Sequence, residues 1–223
     1  MERNPEQIDA HKLLHPEELH AIQADLDRRC RPRKITRTHV QRVVFVLATH
    51  YGLRASELAG TWLGDVQVTG AAPRVRVRSA VAKYGQRRTV PMDISDWGRL
   101  ILTDWLDVRR KMGAVAVDPL VVTMHGRWAG NPLSRHHVCR YFRGACAARP
   151  DDRQAEMHTH VGRHTFCSVG VELAGLASTK QWAGHQSIAT TNVYTHALSG
   201  ARERRNIFGR VAGDAQAPAA HGR

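Results

Sequence analysis

Six side chains in four short segments of this sequence have the chemistry to hold and attack a phosphodiester. GLRASEL carries Arg54, the turn AKYGQRR carries Lys83, THVGRHTF carries His160 and Arg163, and AGHQSIATTNVYTH carries His185 and Tyr194. A phosphodiester is anionic and resists nucleophiles. Breaking it takes a nucleophile, neutralisation of the non-bridging oxygens and a proton for the leaving oxygen. Arginine suits the second task, because its planar fork donates two parallel hydrogen bonds to phosphate oxygens. Arg54 and Arg163 together would clamp both oxygens. Tyrosine serves as a covalent nucleophile, and a lysine at a hairpin tip can protonate the leaving oxygen. Histidines can donate to the phosphate or take the nucleophile's proton. With arginines supplying the charge, the set calls for no metal and no cofactor.

The elements that must position these groups are mostly helical. HPEELHAIQADL reads as a helix with Pro16 in its first turn and Glu17 and Glu18 near its positive end. From Thr38 the apolar residues Val40, Val43, Val44, Leu47 and Tyr51 fall at the spacing of a buried helix stripe, which Gly52 ends. RASELAG makes a second, short helix. The period then changes. Val66 and Val68 alternate, as do Val75 and Val77, and RRTVPM continues after a turn at residues 83–86, which predicts an antiparallel sheet of two or three strands. Helical patterning resumes over Asp96–Met112, with Leu100, Ile101 and Trp105 on one side. Leu120–Thr123 reads as a short extended piece before a turn at HGRWAGNP. Further helices are expected over Ser134–Ala148, Val161–Leu173, 176–183 and 188–196. On the helix, His160 and Arg163 share a face, being three apart. His185 follows Gly184, so a tight turn can aim its ring. The expected class is mainly α (α+β), a compact helical domain with one small sheet.

Composition narrows the partners. The 223 residues hold 33 Lys and Arg against 20 Asp and Glu, a formal charge of +13, which favours a polyanion such as nucleic acid. At 42% hydrophobic residues the chain can bury a core. No apolar run approaches the roughly 20 residues of a membrane span, and the polar N-terminus has no signal-peptide core. Cys30, Cys139, Cys146 and Cys167 form no CxxC pair and read as reduced thiols of a cytoplasmic protein, nucleoid-associated when bound to DNA.

Taken together, GLRASEL, AKYGQRR, HVGR, the Gly184–His185 pair and VYTH resemble the catalytic domain of the tyrosine recombinases, the phage-integrase family, in order and in spacing. The resemblance runs over about residues 12 to 208. It implies a site-specific recombinase that cuts double-stranded DNA through a 3′-phosphotyrosyl intermediate, with Tyr194 as nucleophile. Arg54 and Arg163 would hold the scissile phosphate, and Lys83 would protonate the 5′ oxygen. His160 would assist proton transfer at the nucleophile, and His185 would donate to the phosphate. Glu57 would orient Arg54, and His164 would support the site as a buried, hydrogen-bonded group. Arg87 and Arg88, beside Lys83, are expected to contact backbone phosphates. The resemblance also implies a homo-tetramer on two duplexes, and leaves room for an accessory DNA-binding protein.

Two departures stand out. The family usually has Leu before the box arginine where this chain has Gly162; a glycine there costs a helix about 1 kcal/mol relative to Ala and is expected to leave a small packing gap. Members also commonly carry an N-terminal DNA-clamping domain, for which there is no room before Leu14 in this sequence. The expected organisation is an N-terminal arm (1–11), the catalytic domain (12–212) and a disordered tail (213–223), with the segment after Tyr194 docking on a neighbouring subunit. Two other readings stay open: a catalytically silent DNA-binding regulator that kept the fold, and a type IB topoisomerase-like enzyme. His158, His160 and His164 also have a spacing that suits a metal, but no Cys or acid completes a site.

Overall fold

The apolar stripe that begins at Val40 becomes the centre of the molecule in the computed structural model, which describes residues 12–30, 34–148 and 156–195. The arm 1–11, the part of the catalytic domain beyond Thr195, the docking segment and the tail 213–223 lie outside the described residues. Helix α1 spans Pro16–Arg29 and α2 spans Arg37–Thr49. Every residue of α2 from Val43 to Thr49 is buried, as expected of a helix covered on all sides. The cover comes from α1, from the short α3 (Ala55–Ala59), from α4 (Asp96–Lys111), from α5 (Arg135–Ala145) and from α6 (Thr159–Ala183). A four-residue helix, α7 (Ala189–Asn192), follows and packs on α6. Among the described residues no helix is long and apolar enough to cross a membrane.

Strands β1 (Val66–Gln67), β2 (Arg74–Val77) and β3 (Arg88–Pro91) form one antiparallel sheet in that order. The register pairs Val66 with Val75, and Val75 with Val90. Val75 and Val90 are fully buried, so one face of the sheet lies on the core. The sheet's base is tied down by a buried carboxylate. Asp65 takes Arg78 at 2.8 Å and Arg76 at 3.3 Å, and the Arg78 guanidinium lies 3.5 Å from the centroid of Trp62. The hairpin between β2 and β3 projects from this anchored base.

Helix α6 is interrupted where the sequence reading separates two helices, at Gly175, whose φ of 78° is a left-handed value that glycine adopts without a Cβ clash. Two expectations are corrected. Leu100 does not face the core but is 57% exposed. The inward stripe of α4 runs through Gly98, Ile101, Leu102, Trp105, Leu106 and Arg109, and Leu100 falls outside it. Nor does Gly162 leave a gap. A Cβ at that position would stand 2.7 Å from Thr49 Oγ1 and 2.9 Å from Phe142 Cε2. The Phe142 ring fills the space, so α6 can approach α2 and α5 closely only because Gly162 has no side chain.

That contact sets two effects against each other in Gly162→Ala. Helix propensity favours Ala by about 1 kcal/mol, whereas overpacking a tight core costs typically ~1–3 kcal/mol. The variant is expected to be less stable by about 1 kcal/mol in urea denaturation; a more stable protein would mean that Phe142 yields easily.

Candidate active site

Helix α6 ends in a turn that gathers three arginines. Gly184 is left-handed (φ 64°, ψ 48°), its N–H bonds to Gln181 O at 3.2 Å, and His185 N–H bonds to Lys180 O at 3.1 Å. This is a Schellman cap, for which glycine is the favoured residue. The last carbonyls of a helix lack intrahelical partners and attract cations. Here three consecutive ones are taken by guanidinium groups. Arg88 Nε donates to Trp182 O at 2.7 Å, Arg163 donates to Ala183 O, and Arg54 donates to Gly184 O at 3.4 Å. Arg163 also donates to Gly52 O, which links α6 to the segment that leads into α3. A Cβ on Gly184 would lie 3.0 Å from Arg88 Cδ, so the glycine serves both the turn and this packing.

One carboxylate balances the cluster. Glu57 is fully buried, accepts Arg88 through both oxygens at 2.7 Å, and accepts the Arg54 side chain at 2.9 Å and the Arg54 backbone N–H at 2.8 Å. Burial alone would raise its pKa. The hydrogen bonds and charge of Arg88, then those of Arg54, outweigh burial and bring it down to about 2. Arg163 is pulled down to about 10, first by burial and then, against a raising effect of Cys167, by Arg54 and Arg88. It remains a cation at neutral pH. Arg54 and Arg163 thus hang from adjacent carbonyls. Each uses two side-chain N–H groups on the protein acceptors described here and keeps others of its five for a ligand.

Tyr194 sits beside this pair. Its ring stacks on His185 with planes 13° apart and centroids 6.2 Å apart, and its hydroxyl is 2.7 Å from His164 Nδ1. His185 is held in turn by Thr191 Oγ1 at 3.0 Å. Burial, followed by the arginine charges, lowers the His185 pKa to about 3. Burial, followed by His160 and Arg163, lowers that of His164 to about 4. Both rings are therefore neutral at pH 7, and His164 can accept the Tyr194 O–H. Burial raises the Tyr194 phenol above its ordinary value. The residue read as a support, His164, is thus the one that touches the Tyr194 hydroxyl. His160 is exposed, its ring centroid 6.3 Å from that of His164.

The structure brings Arg54, Glu57, Arg163, His164, His185 and Tyr194 together. It does not bring in Lys83, which is exposed at the hairpin tip with Nζ 4.8 Å from the Tyr84 ring centroid. Arg87 is exposed on the rim of a cleft of about 700 Å³ between the hairpin arm and the end of α6. The expectation for Arg88 as a surface phosphate contact is corrected: its side chain is 4% exposed and its fork is occupied by Glu57. The sequence held a signal for this. Arg88 and Val90 alternate with exposed Thr89, so they share the inward face of β3. Thr191 was also missed, because a threonine beside a histidine six residues away carries no distinctive spacing. Among the described residues no group of three or more His, Cys, Asp or Glu is placed to hold a metal ion.

Compared with known proteins, residues 12–200 match the phage integrase family. The chain is similar to tyrosine recombinase XerC 1 of Ralstonia nicotianae, with 32% identity over 155 residues that cover 65% of this chain and 45% of that protein. It therefore spans less than half the length of that relative. Its fold is similar to the crystal structure of XerA recombinase, at 22% identity and a TM-score of 0.61, covering 85% of this chain and 62% of that one. A second similar fold is that of XerH site-specific recombinase bound to difH substrate in a pre-cleavage complex, at 17% identity and a TM-score of 0.60, covering 85% of this chain and 51% of that one.

Removing Arg88 takes the bidentate partner from a buried carboxylate and leaves it Arg54 alone. Arg88→Ala is expected to lose ~3–5 kcal/mol of stability in chemical denaturation, the range for breaking a buried pair; a loss no larger than that of an exposed arginine would refute the arrangement. Glu57 also sets an acid limb. Its pKa falls from 4.5 in the unfolded chain to about 2 in the fold, so its contribution is complete above pH 4.5 and is lost as pH falls toward 2. Glu57→Gln should flatten the stability profile in that window while lowering stability at pH 7.

Proposed function

The chain belongs to the phage integrase family, and from that premise we propose that it is a site-specific DNA recombinase that cuts and rejoins strands through a covalent phosphotyrosyl link. The observation that carries the reading is the hanging of Arg54 and Arg163 from adjacent carbonyls next to the stacked His185–Tyr194 pair. Two arginines at that spacing suit the two non-bridging oxygens of one phosphate, and a phenol at the same place supplies the nucleophile.

The reaction follows from the groups. Tyr194 Oη attacks the scissile phosphorus, and the bond from phosphorus to the 5′ oxygen breaks. The phenolic proton passes to His164, which already accepts the Tyr194 hydrogen bond, and His160 at the solvent edge carries it outward. Arg54, Arg163 and His185 hold the developing charge on the phosphate oxygens. Lys83, brought in as the hairpin seats on DNA, protonates the departing 5′ oxygen. The 5′-hydroxyl of a second strand then attacks the phosphotyrosine and restores a phosphodiester. Bond energy is conserved, so no nucleotide cofactor or metal enters the scheme. Tyr194 is only 5% exposed, so the segment bearing it shifts when DNA binds. The partner is double-stranded DNA, met by a basic surface that includes Arg87. XerH was captured with its difH substrate, and by analogy this chain works on a duplex site of its own. We extend the reading to a homo-tetramer holding two duplexes in the cytoplasm, with an accessory DNA-binding protein where the chain's own grip is weak.

Covalent trapping tests the reading. The protein and a Tyr194→Phe control are mixed with nicked duplexes drawn from DNA flanking its own gene and run on denaturing gels. An adduct with the wild type alone is the expected result. Binding without an adduct would instead make the chain a silent regulator, and adducts that yield relaxed but never recombinant DNA would make it a topoisomerase.

The rate of adduct formation also has an expected pH dependence. His164 falls from 6.5 to about 4 in the fold, so its neutral, proton-accepting form persists well below neutrality. Single-turnover rates should be level from pH 7 to about 5 and then decline through 4. An inflection near 6.5 that persists in His164→Ala would remove His164 from the proton path.

A further inference from the structure

We propose that Tyr84 is a positioning residue for Lys83, its ring face holding the lysine ammonium at the hairpin tip so that it arrives aimed at the leaving oxygen. The inference rests on the reading of Lys83 as the general acid. It begins from a backbone anomaly. Tyr84 is the one non-glycine residue with positive φ, at 60°, among the described residues. A side chain in this left-handed region is uncommon, and glycine occupies it without the same steric cost. The next residue, Gly85, is also left-handed, at 67°, and has open space around it. A glycine at position 84 would therefore suit the turn better.

Packing does not account for the tyrosine. Tyr84 is 69% exposed, the most exposed of the large apolar or aromatic side chains among the described residues. The contact its ring makes is with the preceding residue, Lys83, whose Nζ lies 4.8 Å from the ring centroid. That is within the range of a cation–π attraction, which strengthens when water is excluded. The effect of the anomaly is thus local. A lysine on a four-carbon stem is a mobile charge, and the Tyr84 ring narrows where that charge can be. The tip stands next to the cleft bordered by Gly85, Arg87, Gly184 and His185. Lys83 and Tyr84 lie just outside that lining, so the pair moves toward the phosphate side as one unit when the hairpin seats on DNA. The strained backbone persists at a position where it serves chemistry rather than folding.

The test separates leaving-group protonation from binding and from stability. It uses the full chain and the duplex site recovered with the Tyr194 adduct. One substrate is the ordinary phosphodiester. The other carries sulfur in place of the bridging 5′ oxygen, so that a thiolate leaves without needing a proton. Tyr84→Ala and Tyr84→Gly are expected to form adduct about tenfold more slowly on the ordinary substrate and at the wild-type rate on the sulfur substrate. Tyr84→Phe keeps the ring and should match the wild type on both. Tyr84→Gly should melt no lower than the wild type, because glycine relieves the backbone. Equal slowing on both substrates, or no slowing on the ordinary one, overturns the proposal. Lys83→Ala is the control for the parent reading. Its rescue by sulfur supports Lys83 as the acid, so that a failure of the Tyr84 variants then counts against Tyr84 alone. Without that rescue the assignment of Lys83 fails, and the role of Tyr84 fails with it.

Discussion

Like charges do not gather without something to hold them, and three guanidinium groups meet at the end of one helix in this protein. The forces that hold them are plain. Three consecutive carbonyls at the close of α6 lack helical partners and accept from Arg88, Arg163 and Arg54. A single buried carboxylate, Glu57, lies between two of the three. One negative charge against three positive ones leaves the cluster with an excess that suits an anion. Were Glu57 joined by a second acid, the arginines would be satisfied internally and would have less to offer a phosphate. Without Glu57, Arg88 would lack its main counter-charge inside the protein. The balance constrains the backbone as well. Gly184 must turn left-handed to end the helix, and a Cβ there would stand only 3.0 Å from Arg88 Cδ.

The cluster connects parts of the chain that are distant in sequence. Glu57 comes from α3, Arg88 from β3, Arg163 from the first half of α6, and the carbonyls from its last turn. Arg88 therefore ties the sheet to the helices, while Asp65 ties the base of the same sheet to the loop before it. The two buried carboxylates hold the two arms at the same level of the sheet, where Val77 pairs with Arg88. The tip stays exposed, and Lys83 with it. Tyr194 occupies the other side of the turn, where His164 and His185 hold it by a hydrogen bond and a stack. Tyr194 and Lys83 are thus carried by different elements that share one hub.

Much of this was legible in the sequence. The stripe from Val40 to Leu47 identified α2 because a 3.6-residue period is a strong signal over a long helix. The alternation of Val75 and Val77 identified β2 for the same kind of reason. The break between the two helical stretches of α6 could be read at Gly175. The groups of the candidate site stood out because arginine, histidine and tyrosine in short ordered segments have few bland explanations in combination. Other features depended on distant partners. Arg88 looked like a surface cation in a basic turn, and only the packing of Glu57, 31 residues away, shows its burial. Gly162 read as a gap because its neighbours Phe142 and Thr49 are not adjacent in sequence. Leu100 read as core because an apolar residue next to Ile101 is one step of 100° away from the stripe, and composition alone cannot resolve that step. The preference for His164 over His160 at the tyrosine turned on a hydrogen bond that spacing could not rank.

The exposed arm of the hairpin has an evolutionary consequence. From Lys83 to Arg87 no side chain is buried, and the first inward residue is Arg88. Mutations in this arm change the outer surface without disturbing the interior, so drift there leaves the hub intact. A lineage could recompose the arm around the Lys83–Tyr84 pair at its tip while the buried hub stays unchanged. The boundary between what the interior leaves free and what it fixes falls between two adjacent arginines, Arg87 and Arg88.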